Sequence, residues 1–424
     1  MEKNILTKNK ISRRQFILGA MATGALVLTG AGCGKNEIAP GKLNITKLRQ
    51  IVVKNNAAGR MIMWQAQDAS EDFRLKWRVK GASAETEIKA QDVSFTDDGK
   101  KVQQYAAEVT GLKPGESYEY SVVCGDKASD WQPLTPDTGE EFTALIFPDS
   151  QSSDYSDWQK LAKDAAARHK DAKFAVNMGD LVDNGEDSNQ WDDWFEGLAG
   201  LIEGVPFVPV MGNHETYNLD WKVRLPSAYL NYFSVPQNGS QNFNQYYYSF
   251  DYGAAHFAVI NTQWGEVEEF LPGLMEEQQA WLREDMRDTD KKWKIVLMHK
   301  DVLQYRIKGR PERTEGISDI GEAFMPIFEE LGVDLVLTAH LHTYRDRGQI
   351  LGDKHAKNAP LYILTGVAGN VRYPNLWIDH ALDEVVAPQP ETDNYLTLKV
   401  SKNNLEVAAY LPNGTEIDRR EITK

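Results

Sequence analysis

Phe207-Val208-Pro209-Val210-Met211-Gly212-Asn213-His214-Glu215 sets five apolar residues directly before a glycine, an amide, an imidazole and a carboxylate. An apolar run this short, closed by Gly, reads as a buried central strand. The same pattern recurs along the chain. Ala144 to Phe147 leads to Asp149, Phe174 to Met178 to Gly179-Asp180, Ile295 to Met298 to His299, and Val333 to Leu337 to Ala339-His340-Leu341-His342. Helical periodicity fills the gaps at 157–169, 189–201, 276–288 and 320–331, which makes this an α/β domain with covered sheets. The carboxyl ends of such strands border the ligand crevice, so five strand ends deliver carboxylates, an amide and imidazoles to one place. That donor mixture suits Zn, Mn or Fe. A carboxylate shared by two ions would hold them about 3.5 to 4 Å apart, the geometry of two-metal phosphoester hydrolysis.

Outward from this core, 246–250 and 256–261 read as a hairpin, and the alternating segments 395–400 and 405–410 as strands. Before Phe142 the rhythm is different. Strand-like stretches at 61–67, 73–79, 105–109 and 118–123, separated by turns such as Asp98-Gly99 and Lys113-Pro114-Gly115, predict a small antiparallel β-sandwich. The 424 residues therefore divide into a leader over 1–33, a linker over 34–48, the sandwich over 49–141 and the α/β domain over 142–424. The net charge of −15 excludes nucleic acid as a partner. Cys33 and Cys124 are the only cysteines, so no disulfide framework is written here, and Cys124 reads as a small buried hydrophobe.

Lys8, Lys10, Arg13 and Arg14 precede the uncharged run Phe16 to Ala31. At about 24 Å as a helix, that run is short of a bilayer core and reads as a signal peptide. Ser12-Arg13-Arg14-Gln15-Phe16-Ile17-Leu18 resembles the twin-arginine export signal, and Gly30-Ala31-Gly32-Cys33 resembles a lipoprotein cleavage box. The expectation is an exported, extracytoplasmic chain whose membrane contact runs through the signal peptide or a lipidated Cys33.

Gly179-Asp180, Gly212-Asn213-His214-Glu215, a His after a hydrophobic strand, and Ala339-His340-Leu341-His342 together resemble the calcineurin-like metallophosphoesterases. The preceding sandwich, Tyr247 to Asn261 and Pro360 to Asn370 narrow the resemblance to the purple acid phosphatase branch. Gly111 to Tyr120 resembles a fibronectin type III strand and turn in which the tyrosine pair anchors the corner. The resemblance implies two metal ions per chain, of Fe, Mn or Zn, bridged by Asp180. Asp149 and His342 would complete the first site, and Asn213, His299 and His340 the second. It further implies hydrolysis of a small phosphomonoester by a metal-bound hydroxide, with His214 as the acid that protonates the leaving alkoxide. A phosphodiesterase is the alternative on the same scaffold, and a noncatalytic surface-binding lipoprotein the alternative of another class.

Three positions depart from the family pattern. Gln151 stands where Gly or His is usual, Ala339 replaces the Gly before the HxH pair, and Asp183 occupies the place of the tyrosinate ligand. Gln151 and Asp183 are candidates for a metal or water contact, or simple turn and capping residues. Arg306 and Arg345 are candidate substrate contacts, the former within the locally basic loop 305–313. His256 reads as a satisfied core residue, and His169, His355 and His380 as solvated. Trp191, Trp194 and Phe195 read as helix core.

Overall fold

The computed structural model describes residues 41–67, 69–70, 72–139, 141–388 and 391–424. The leader and Cys33 lie outside the described residues. The linker expected over 34–48 is already structured where it is described, because Gly41–Lys42 pairs with Lys127–Ala128 and a strand begins at Ile45.

The first strands are β1 (Ile45–Ile51), β2 (Gly59–Ala66), β3 (Phe73–Val79), β4 (Gln104–Thr110) and β5 (Tyr118–Cys124). β3 and β5 run antiparallel in one sheet, while β1, β2 and β4 lie in another. Alternate residues of both meet in a core of Ile62, Trp64, Leu75, Tyr105, Tyr120 and Val122. This is the expected sandwich. The corner is anchored as its sequence predicts, since the Lys113 amide donates to the Tyr118 hydroxyl at 3.2 Å. Cys124 is half-buried, with its thiol on Ser70.

The second part continues with β6 (Phe142–Phe147), α1 (Ser156–Arg168), β7 (Ala172–Asn177), α2 (Ser188–Leu198) and β8 (Pro206–Pro209). Then come β9 (Tyr248–Tyr252), β10 (Ala255–Val259), α3 (Leu274–Asp288), β11 (Trp293–Leu297), α4 (Asp319–Leu331) and β12 (Leu335–Thr338). β13 (Tyr344–Leu351), β14 (Leu361–Thr365), β15 (Tyr395–Val400), β16 (Asn404–Tyr410) and β17 (Glu416–Thr423) complete the elements that matter here.

These strands form two mixed sheets. One runs β17-β16-β15-β6-β7-β8 and continues through β1, β2 and β4, so the sandwich and the α/β part share a single ten-stranded sheet. The junction is parallel pairing of β8 with β1, at Pro206 with Gln50 and Phe207 with Ile51. The other runs β9-β10-β11-β12-β14-β13. Side-chain alternation explains how the layers stack. Ile295, Leu297, Leu335, Leu337 and Ile363 point to the core shared with the first sheet. Their neighbours Val296, Met298, Val336 and Leu364 meet Leu282, Phe324 and Phe328 of α3 and α4. On the outer side of the first sheet Trp158 stacks on Trp194, with Trp191 and Phe195 also buried, which confirms those three as helix core. Each fully buried side chain of this size contributes roughly 1.5 to 3 kcal/mol.

His256 is a satisfied core residue, bonded to Asp251 and Asp285 at 2.8 Å each. His380 is not solvated as expected. It is buried, with its ring against Tyr305 and Nε2 near the Gly316 carbonyl. Among the described residues no helix is long and apolar enough to cross a membrane.

Candidate metal centre

β6, β7 and β8 are mutually parallel, as are β10, β11, β12 and β14, so the carboxyl ends of strands from both sheets open on one side. Asp149 follows β6, Asp180 follows β7, Asn213 and His214 follow β8, His299 follows β11, and His340 and His342 follow β12. The five loops converge. Oxygen and nitrogen donors of Asp180, His299 and His340 lie within 4.8 Å of one another, and so do those of Asp149, Asp180 and His342. Asp180 belongs to both groups. The Asn213 amide oxygen stands 3.2 Å from His299 Nε2, which brings the sixth predicted donor to the same place.

The loops are held tightly. Asp180, His340 and His342 have φ of 46°, 77° and 52°, a left-handed backbone that costs non-glycine residues and concentrates at functional sites. Gly212 is required because a Cβ there would come within 2.1 Å of Asp180 Oδ1. The His214 amide donates to that same Oδ1 at 2.9 Å, and the His340 amide donates to Asp149 Oδ2 at 2.9 Å. The 360–370 stretch packs along the Asp149 loop, with the Ala368 and Gly369 amides donating to the Asp149 carbonyl.

Burial pushes His340 down to about 3 and His342 to about 4, so both imidazoles are neutral and able to ligate. Burial, together with the Asp180 charge, pushes Asp149 up to about 8. Asp180 is held well below its ordinary value: burial opposes this, but His299, His214 and His340 outweigh it. Burial lowers His299, yet the two aspartates carry it up to about 9. The aspartates thus draw positive charge to the centre, the environment a cation would satisfy. His340 Nδ1 and Gln151 Oε1 are buried without a partner. Donor set, local charge and orphaned atoms all fit two metal ions.

Gln151 is next to Asp180 through its backbone amide, which donates to the Asp180 carbonyl at 2.9 Å. Its orphaned oxygen keeps it a candidate for a metal or water contact. Asp183 belongs to neither donor group. It pairs instead with His214, whose Nδ1 donates to the Asp183 carbonyl at 2.6 Å and stands 3.6 Å from its carboxylate. That bond leaves Nε2 as the free nitrogen. Burial lowers His214, but Asp180 and Asp183 raise it further, for a net upward shift.

Arg306 and Arg345 do not serve as free phosphate forks. Arg345 is buried and bonded to Asp379 at 2.6 Å, with Asp383 and Glu391 beyond, and Arg306 pairs with Glu315 at 3.2 Å. Burying a guanidinium demands such partners, a requirement that short-range sequence does not reveal.

Two contributors escaped the sequence reading. Glu215 is buried and its carboxylate accepts from the amides of Asp180, Leu181 and Gly212, clasping two ligand loops together. Tyr373 is 38% exposed and lies against the His342 ring at 4.8 Å. Tyr155, by contrast, is buried and its hydroxyl accepts from the Asp183 amide.

Residues 128–344 match the calcineurin-like phosphoesterase family, and residues 48–135 match the purple acid phosphatase N-terminal domain. The chain is 27% identical over 207 residues to purple acid phosphatase 15 of Arabidopsis thaliana, covering 48% of this chain and 36% of that protein. It is 29% identical over 197 residues to phosphoenolpyruvate phosphatase of Allium cepa, covering 43% and 39%. It thus spans well under two thirds of the length of these relatives. The fold is shared with a purple acid phosphatase from yellow lupin (Lupinus luteus) seeds, at a TM-score of 0.73 and 17% identity over 90% of this chain and 74% of that one. PhoD shares it at 0.62 and 13%, over 92% and 90%. Since the first match extends over half of the chain and takes in all five donor-bearing strands with the HxH pair, this protein belongs to the calcineurin-like phosphoesterase family and carries a purple acid phosphatase N-terminal domain ahead of it.

Proposed function

We propose that the chain is an exported metal-dependent phosphatase that hydrolyses small phosphomonoesters at a dinuclear centre. The observation that carries this reading is Asp180, common to two donor groups and bonded through Oδ1 to the amide of His214. Asp149, Asp180 and His342 would hold one ion, and Asp180, Asn213, His299 and His340 the other. When bound, Fe, Mn or Zn ions supply neutralising charge for the phosphoryl oxygens and activate water. The chain's own work is orientation and proton transfer. The Asp183 carbonyl keeps a proton on His214 Nδ1, so Nε2 is the nitrogen that exchanges protons, and the imidazolium form gives its Nε2 proton to the leaving oxygen and is left as neutral imidazole. With Arg306 and Arg345 both committed to carboxylates, the imidazolium form of His214 is the candidate cation for the second charge of a monoester dianion.

The absence of a free guanidinium from those two positions also favours a second reading, a phosphodiesterase on the same residues. Metal analysis with rates on paired aryl monoester and diester substrates separates the two. We expect two metal ions per chain and faster monoester cleavage. Faster diester cleavage would establish the second reading, and a metal-free chain without turnover would overturn both.

Export and tethering rest on Ser12-Arg13-Arg14, the run Phe16 to Ala31, and Cys33. Cys33→Ser is expected to move the chain from the membrane to the soluble extracytoplasmic fraction. An unchanged membrane fraction would rule out lipidation of Cys33.

A further inference from the structure

Trp221 is 56% exposed, an unusual position for an indole, and its backbone is left-handed at φ 59°. Turns that need this conformation ordinarily use Gly or Asn, so a bulky aromatic here carries backbone strain. The loop is not loose. Tyr217 and Val223 form an antiparallel bridge, the Trp221 amide donates to the Asn218 carbonyl at 2.8 Å, and Asn218 Oδ1 accepts from Asp220 and Lys222. Asn184 donates to the Asn218 carbonyl at 2.6 Å, and Arg224 ties the loop to Asp97 and Glu186. The indole held by this frame meets the His214 ring edge-on, with centroids 5.9 Å apart.

That position has a chemical meaning which rests on the phosphatase reading. If His214 protonates the leaving oxygen, whatever is bonded to that oxygen must lie on the His214 side. Trp221 stands there, with Leu219 and Val223 as exposed apolar neighbours. We propose that Trp221 is a specificity-determining shelf that stacks the leaving group, so that the preferred substrates are phosphomonoesters with a planar aromatic group, aryl or nucleoside. Rigid placement of the ring in advance lowers the ordering cost of that contact.

The test compares phenyl phosphate with glycerol phosphate in metal-loaded protein. Replacing Trp221 with Ala should lower the ratio of their kcat/KM values by about tenfold, the scale of an aromatic pair, mainly through KM for phenyl phosphate. Trp221→Tyr should recover most of the ratio. Adenosine 5′-monophosphate in the same series distinguishes the two sources: a matching loss assigns the shelf to nucleosides as well, and no loss restricts it to directly attached aryl groups. A ratio unchanged in Trp221→Ala would overturn the proposal, as would loss of binding to phosphatidylglycerol vesicles with aryl preference intact. Phenylphosphonate and methylphosphonate, titrated by calorimetry, give a readout independent of turnover. If the parent hydrolyses neither ester but binds phenylphosphonate more tightly, and Trp221→Ala abolishes that advantage, the phosphatase reading falls and the shelf stands.

Discussion

Asp180→Asn is expected to cost the protein at least one of its two metal ions and to reduce hydrolysis by on the order of 10³-fold. Asn preserves the shape of the side chain and can still accept the His214 amide at the Oδ1 position. What it lacks is the negative charge common to both donor groups, without which two cations at close range repel each other uncompensated. A stability measurement separates charge from folding. Metal should raise the melting temperature of the parent, because it binds the folded state alone, and should do so far less in the variant. Metal content and turnover both equal to the parent's would dismiss the dinuclear centre.

His214→Ala is expected to keep both metal ions while slowing esters of poor leaving groups by roughly 10²-fold or more. The side chain belongs to neither donor group, and its Nδ1 is already engaged with the Asp183 carbonyl, so removal spares the ligands. Aryl esters with good leaving groups need less protonation and should be slowed less. Uniform slowing across a leaving-group series would contradict the acid role.

The five apolar runs were legible because a buried strand followed by Asp, Asn or His is a local pattern, and β6, β7, β8, β11 and β12 appear where those runs lie. Strand ends slipped by one or two residues, as at Pro206–Pro209 against the expected 207–211, where the chain leaves the ladder to present Asn213. The pairing of β8 with β1 was not legible. Nothing near Phe207 or Ile51 encodes a partner so distant in sequence. The same distance hid the partners of Arg345, whose carboxylates lie at Asp379, Asp383 and Glu391. Glu215 stood in a quoted motif, but its function lies in backbone amides of another loop, a role that residue type does not announce.

The position of β6 dictates when the centre can exist. The strand that delivers Asp149 lies between β7 and β15, and the loop after it is laced to Val367 and Ala368. Its antiparallel neighbour at Tyr395–Val400 is synthesised long after it. Sandwich, helices and most of the donors can therefore emerge with the first half-site still open, and closure waits for contacts of very long sequence separation. Metal capture at that half-site would then wait until Tyr395–Val400 has been made and paired. Cofactor supply would thus act on the first half-site only from the moment that late pairing has formed.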